Sequence, residues 1–402
     1  MTPSSLPALP DHTRRTVLLL SLACFCSMAT QRICDAMLPE LAREFGASMA
    51  RTGQVVSVFA VVYGLAQLLY GAVGDRLGKL RVLTFTTLSS GVGSLMAVFA
   101  GSLDALVLAR VLMALVVAAI IPMAMAWTGD AVPYAMRQET LARVGLGTTM
   151  GIMGGQLAGG VFVDTVGWRW AFVLMAVLFL GVGALLWRDM GQQEPSPSSD
   201  PPQQGIMAQT RDLLSEPWVR TMLAVAMVQG GAGFGLVAII ATHLHEVHGM
   251  ALSSAGATVA LFGLGGMLYM SQAKTLIRRL GEHGLALTGG CTLGASLLTV
   301  ALSPWWQLAP PAMLVAGFGF FMLHNTLQAN ATQMSPKARG LGVSMFATGL
   351  FMGQALGVWV ATSLIERLGS SAVLVGGAAA MASMAIFLSA KLRRRHRLKV
   401  NG

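Results

Sequence analysis

Two long runs of the chain, 55–70 and 82–99, carry no charged residue, and a short charged turn separates them. The turn, 71–81, reads Gly-Ala-Val-Gly-Asp-Arg-Leu-Gly-Lys-Leu-Arg. A bilayer core takes about 20 consecutive apolar residues as a helix. Any backbone that crosses it must bond its own N–H and C=O groups, which leaves helices and closed barrels. Two uncharged runs of this length joined by a basic turn therefore read as two spanning helices, with the turn on the cytoplasmic side.

The rest of the chain repeats that pattern. Only 11% of its 402 residues are charged, 54% are hydrophobic and the mean hydropathy is +0.66. Soluble domains carry about 25% charged residues, so the solvent expected here is lipid. Spans are expected at about 16–38, 54–74, 82–100, 104–127, 144–162 and 168–188, and then at 221–243, 254–272, 285–302, 310–330, 341–365 and 372–390. The one long polar stretch, 189–217, is rich in Gln, Pro, Ser and Asp and reads as a flexible cytoplasmic linker. The expected fold is an all-α membrane protein with twelve transmembrane helices. They would form two pseudo-symmetric six-helix bundles, 1–188 and 218–402, the second ending in the basic cytoplasmic tail Lys391–Arg397.

The net charge of +10 is unevenly placed. Most Lys and Arg fall on one side of the expected spans, which puts both termini in the cytoplasm of a multi-pass protein of the cell (inner or plasma) membrane. No basic patch is interleaved with stacking aromatics, so nucleic acid is not an expected partner. Cys24, Cys26, Cys34 and Cys291 all lie in apolar spans without CxxC spacing and read as small packing residues. No cleavable signal peptide is expected, because the first apolar run follows a polar, Pro-containing lead.

The positions Gly71, Asp75, Arg76, Gly78, Lys79 and Arg81 resemble the loop 2–3 signature of the major facilitator superfamily (MFS) of secondary transporters. The resemblance implies alternating access, with two bundles rocking about a midplane site and this loop latching one conformation. Lys274, Arg278, Arg279 and Gly281 echo the motif between spans 8 and 9, without its acidic residue. In span 5, Gly151, Gly155, Gln156, Gly159 and Gly160 resemble the antiporter motif of MFS drug/proton exchangers, with Gln156 where that motif has Pro. Arg110, the sole charge in span 4 after Asp104 at its start, resembles the arginine that MFS antiporters carry there, which is associated with proton coupling. The branch implied is proton-coupled efflux of a small amphipathic or apolar compound; an importer, or a metabolite or copper carrier, is the alternative.

The residues also bear their own readings. Arg32 and Asp35 stand one helical turn apart, and apart from Asp104 at the start of span 4, Asp35 is the only carboxylate placed inside a span. An intramembrane ionisable group marks a functional path by default, so Asp35 is either the proton carrier or half of an ion pair at the outer interface. Small residues three or four apart in span 5 make a groove for close helix packing or set the direction of exchange. Arg110 partners Asp35 or snorkels to the headgroups. His324, Asn325, Gln328 and Asn330 lie on span 10, which lines the cavity in the MFS fold; His324 and Gln328 share a face, and Gln156 and Gln354 would join them. His243, His245, His248, Glu246 and Met250, with 26 methionines in all, invite a copper reading, but their spacing matches no closed metal site. No cofactor and no enzymatic activity are expected; the expected partners are a small-molecule substrate, protons and lipid, and the expected state is a monomer.

Overall fold

The computed structural model describes residues 10–190, 206–334 and 339–400, and every regular element among them is helical. The first nine helices are α1 (Asp11–Arg32), α2 (Leu38–Phe45), α3 (Met49–Thr52), α4 (Gln54–Leu77), α5 (Lys79–Val98), α6 (Leu103–Val117), α7 (Ile120–Ala131), α8 (Tyr134–Thr165) and α9 (Trp168–Met190). Then come α10 (Ile206–Ser215), α11 (Pro217–Val228), α12 (Leu236–His248), α13 (Leu252–Leu302), α14 (Ala309–Ala331) and α15 (Arg339–Val400). The lead before residue 10 and the linker stretch 191–205 lie outside the described residues; α10 occupies the end of that polar region.

Nine helical stretches among the described residues are long and apolar enough to cross a membrane. Two of them are far longer than one crossing. At 1.5 Å per residue, the 51 residues of α13 would run about 75 Å if straight. Instead α13 breaks at Gly281 (φ 62°, ψ 177°), and the 62-residue α15 breaks at Gly369 (φ 80°, ψ 156°). The same device closes other reversals: Gly46, Gly78, Gly167 and Gly249 also have positive φ, which no other described residue type adopts. The 20-residue α5 adds a further long helix whose Thr84, Thr86, Thr87, Ser90 and Ser94 hydroxyls donate back to carbonyls of the preceding turn.

Two apolar cores result. One gathers Leu20, Phe59, Met113, Phe172 and Phe179 from α1–α9, and the other Ile239, Phe262, Leu293, Phe320 and Leu388 from α12–α15. Large apolar side chains also face outward all along the helices, among them Leu69, Leu108, Val177, Trp359 and Ile386. A soluble monomer rarely shows so much exposed apolar surface, whereas lipid covers it at no cost.

Hydrogen bonds join the two regions of chain at the end away from Gly78. There the Met49 N–H donates to Glu366 Oε1 (2.7 Å) and the Ser253 N–H to Asp164 Oδ2 (2.6 Å). Deeper in, Thr348 Oγ1 donates to the Gly64 carbonyl (2.9 Å).

Candidate functional site

The site is built on a break in the first helix. Pro39 has no N–H to return to the Asp35 carbonyl, so α1 cannot continue through it. The chain passes through a 3₁₀ turn, Asp35–Met37, and resumes as α2, so the helical run extends to Phe45 rather than ending near residue 38. Asp35 therefore lies inside the run and not at its margin, and both Asp35 and Arg32 are fully enclosed by protein.

One oxygen of Asp35 carries two bonds. Oδ2 accepts from Arg32 Nη1 (3.1 Å) and from Gln156 Nε2 of α8 (2.7 Å), while Oδ1 has no partner. The same Arg32 Nη1 donates to the Phe234 carbonyl (3.1 Å), and the guanidinium lies 3.6 Å over the Phe234 ring. Arg32 thus joins a carboxylate on the first part of the chain to a backbone carbonyl on the second.

Arg110 bonds backbone carbonyls, and the ion pair of Asp35 is with Arg32. Fully enclosed and turned away from any headgroup, Arg110 donates Nη1 to the Thr30 carbonyl (2.7 Å) and Nε to the Val55 carbonyl (3.3 Å), with its guanidinium 3.8 Å over Phe59. Its Nη2 has no partner.

The span-5 glycines explain how Gln156 reaches Asp35. A Cβ at Gly147, Gly151, Gly155 or Gly159 would run into the carbonyl oxygen of Ser21, Phe25, Ala29 or Ile33, respectively. Successive glycines at i, i+4 lie on one face of α8, and each seats a successive turn of α1. Gly160 faces the other way, onto the Leu252 carbonyl, and Gly256 of α13 sits on the Gln156 carbonyl. Gln156 is thus held between α1 and α13, with its amide aimed at Asp35.

Across the interface, α11 and α12 are joined by a π-helical turn, Gln229–Gly235. Its Gly230 and Gly231 pack on the backbone of α15 at Leu350 and Gly353, close approaches that a side chain would prevent. The wide turn presents Phe234 to Arg32. Phe234 stacks on Phe320 (5.0 Å between centroids), and Phe320 stacks on His324 (5.5 Å), whose Nδ1 lies 3.3 Å from Gln229 Oε1. A column of flat groups therefore runs from Arg32 to His324.

Several buried polar atoms have no partner, among them Gln229 Nε2, Gln156 Oε1, and Arg32 Nε and Nη2 at this column, and both amide atoms of Gln31 and Gln354. Buried donors and acceptors left open cost free energy, which makes these side chains candidates to meet a substrate. Of the expected cavity residues, Gln354 and His324 belong here. Asn325 is half-buried beside Tyr269, Asn330 bonds its own helix at the Thr326 carbonyl, and Gln328 is exposed. Gln229, Phe234 and Gln31 were not expected. The only signal for the first two was the uncharged, glycine-dense run 229–235.

The charged turn is organised by Lys79. Its Nζ pairs with Asp130 at the end of α7 and lies 3.7 Å from Asp75 Oδ1. Gly78 links α4 to α5 with φ 88°, and Gly74 packs on Met123. Gly71, Asp75, Arg76, Gly78 and Arg81 are exposed, and both of Lys79's ion pairs stay within the first part of the chain. The histidines after span 7 are separately engaged: His243 bonds Ser370 and the Val300 carbonyl, and His245 the Met250 carbonyl. Among the described residues, no group of three His, Cys, Asp or Glu is placed to hold a metal.

Gln156→Leu keeps the volume and deletes the donor, so the carboxylate loses one of its two bonds. A charge-assisted bond contributes about 1.5–3 kcal/mol, and the variant is expected to melt several degrees below wild type with insertion unchanged. A melting temperature equal to wild type would show that the bond is incidental.

The family model described as Major Facilitator Superfamily matches residues 20–338. The chain is 27% identical over 177 residues to the multidrug export protein EmrB of Haemophilus influenzae, covering 44% of this chain and 35% of EmrB. It is 23% identical over 334 residues to the MFS-type transporter YceJ of Bacillus subtilis, covering 82% and 84%. Among solved structures, it resembles the nucleoside transporter NupG (TM-score 0.76, 14% identity, 93% and 99% covered). It also resembles a bacterial homologue of the human lysosomal transporter Spinster in an inward-facing conformation (TM-score 0.73, 18% identity, 95% of each chain).

Proposed function

This chain belongs to the Major Facilitator Superfamily and is a multi-pass membrane transporter rather than an enzyme; from that premise we propose that it exports a small amphipathic or apolar compound in exchange for protons. The observation that carries the reading is Asp35, an enclosed carboxylate held by Arg32 and Gln156 where the two parts of the chain meet. Protonation would remove the charge that holds Arg32 beside the Phe234 carbonyl, which couples a proton to the contact between bundles. Two bundles of six spans, counting α5 and one span on each side of Gly281 and of Gly369, would rock about the open-donor site near Gln31, Gln229 and Gln354. The chain would work as a monomer with both termini in the cytoplasm. The contacts gathered away from Gly78 would then make this the inward-facing arrangement.

A second reading is favoured by charge. Arg32 and Arg110 face one carboxylate among the described buried residues, and an anionic metabolite would balance the remaining positive charge. Because a proton on Asp35 increases that positive charge, such an anion would move with the proton and not against it. Purified protein in proteoliposomes containing a pH dye separates the two readings. A screen of amphipathic drugs, nucleosides, sugars, organic acids and copper is expected to yield proton movement opposite in direction to the substrate. Movement in the same direction would replace exchange with cotransport, and silence across the panel would remove Asp35 from its assigned role.

A further inference from the structure

A groove of about 410 Å³ runs between the later part of α13 and the end of α15, far along the chain from the transport site. Its lining is graded. Leu287 and Ile386 form an apolar wall, Ser389 and Ala390 follow, and Arg393 and Arg394 stand at the mouth. On α15 these residues fall at i, i+3/i+4 and i+7/i+8, one stripe of a helix face. The stripe passes from hydrocarbon to hydroxyl to cation within about 10–12 Å of helix rise. Ile386 is 59% exposed, in a protein whose outer surface faces lipid.

The two guanidiniums at the mouth are free of acidic partners. Neither Arg393 nor Arg394 forms a salt bridge among the described residues. Their neighbours are engaged differently: Lys391 lies 5.6 Å from the Phe387 ring and Arg395 lies 4.3 Å over Trp218. The basic run is thus divided, with Lys391 and Arg395 placed against aromatic rings and Arg393 and Arg394 left open over an apolar slot.

We propose that this groove binds one anionic phospholipid, its acyl chain along Leu287, Ile386 and Ala390 and its phosphate between Arg393 and Arg394. Charge complementarity selects the headgroup, because a zwitterionic lipid brings a cation of its own to the two arginines. The apolar wall selects a lipid over a free anion, because phosphate alone leaves Leu287 and Ile386 uncovered.

Native mass spectrometry of the full chain tests this. Protein in detergent is titrated with phosphatidylglycerol, phosphatidylcholine or inorganic phosphate. Phosphatidylglycerol is expected to be retained as a single tight adduct, phosphatidylcholine to be stripped, and phosphate neither to bind nor to compete. Changing Arg393→Gln and Arg394→Gln together is expected to weaken retention about 30-fold, the factor expected for two cationic contacts. Ala390→Trp keeps both charges and fills the slot, and it is expected to weaken retention as much. Retention unchanged in either variant overturns the site and leaves the arginines a purely topological role. Phosphate binding as tightly as the lipid overturns the lipid assignment. Substrate counterflow is expected to persist in both variants, so the test stands apart from the transport reading.

Discussion

Asp35→Asn is expected to abolish proton-driven transport while leaving counterflow of the same substrate measurable. Asn keeps the shape of the side chain and cannot exchange a proton, so the expected loss is about 100-fold or more, the scale on which a positioned proton carrier acts. The substitution also changes stability, in a way that identifies the network. Arg32 is fully enclosed, and its carboxylate partner at 3.1 Å would become neutral. Removing one partner of a buried pair costs about 3–5 kcal/mol, because the other charge is left uncompensated. The single variant should therefore melt several degrees below wild type. Arg32→Gln combined with Asp35→Asn should recover most of that stability and none of the coupling. Coupled flux preserved in Asp35→Asn would mean that the proton travels elsewhere, and failure of the double variant to recover stability would mean that Arg32 is held mainly by Phe234.

How much of this was legible beforehand depended on whether a residue advertises itself locally. The turn 71–81 did, because two uncharged runs flank it. Asp35 and Arg110 did, as charges in apolar surroundings. Their partners did not. Arg110 bonds the carbonyls of Thr30 and Val55, and a backbone carbonyl has no signature in a sequence. Arg32 meets Phe234 some 202 positions away, through a π turn whose run of glycines looks like ordinary packing. Gln156 was visible as the residue standing where the antiporter motif has Pro, but its bond to Asp35 required knowing the register of α8 on α1. Depth was hidden as well. Helical spacing put His324 and Gln328 on one face, yet only the packed bundle leaves Gln328 exposed and stacks His324 on Phe320. Lys79 was read from its motif, whereas the acid it meets, Asp130, comes from the far end of α7.

The register of α8 on α1 yields the other large effect, in Gly155→Leu. A Cβ at Gly155 would strike the Ala29 carbonyl oxygen, and Gly151 and Gly159 repeat that contact one turn to either side at Phe25 and Ile33. Backbone cannot rotate out of the way as a side chain can, so the two helices would have to part. Overpacking a core costs about 1–3 kcal/mol when side chains can adjust, and more is expected where the obstacle is a carbonyl. Separation of α1 from α8 would also stretch the adjacent Gln156–Asp35 bond from 2.7 Å. The variant is therefore expected to lose most of its folded yield, and the surviving fraction to lose coupling with it. Gly145→Leu is the control on the same helix, because nothing lies within 4 Å of a Cβ built there. Leu in place of an unobstructed helical Gly contributes about 1 kcal/mol of helix propensity, so this control should match or exceed wild type in melting temperature. If Gly155→Leu instead folds and transports as well as Gly145→Leu does, the glycine face of α8 does not set the helix spacing, and Gln156 must be positioned by α13 alone.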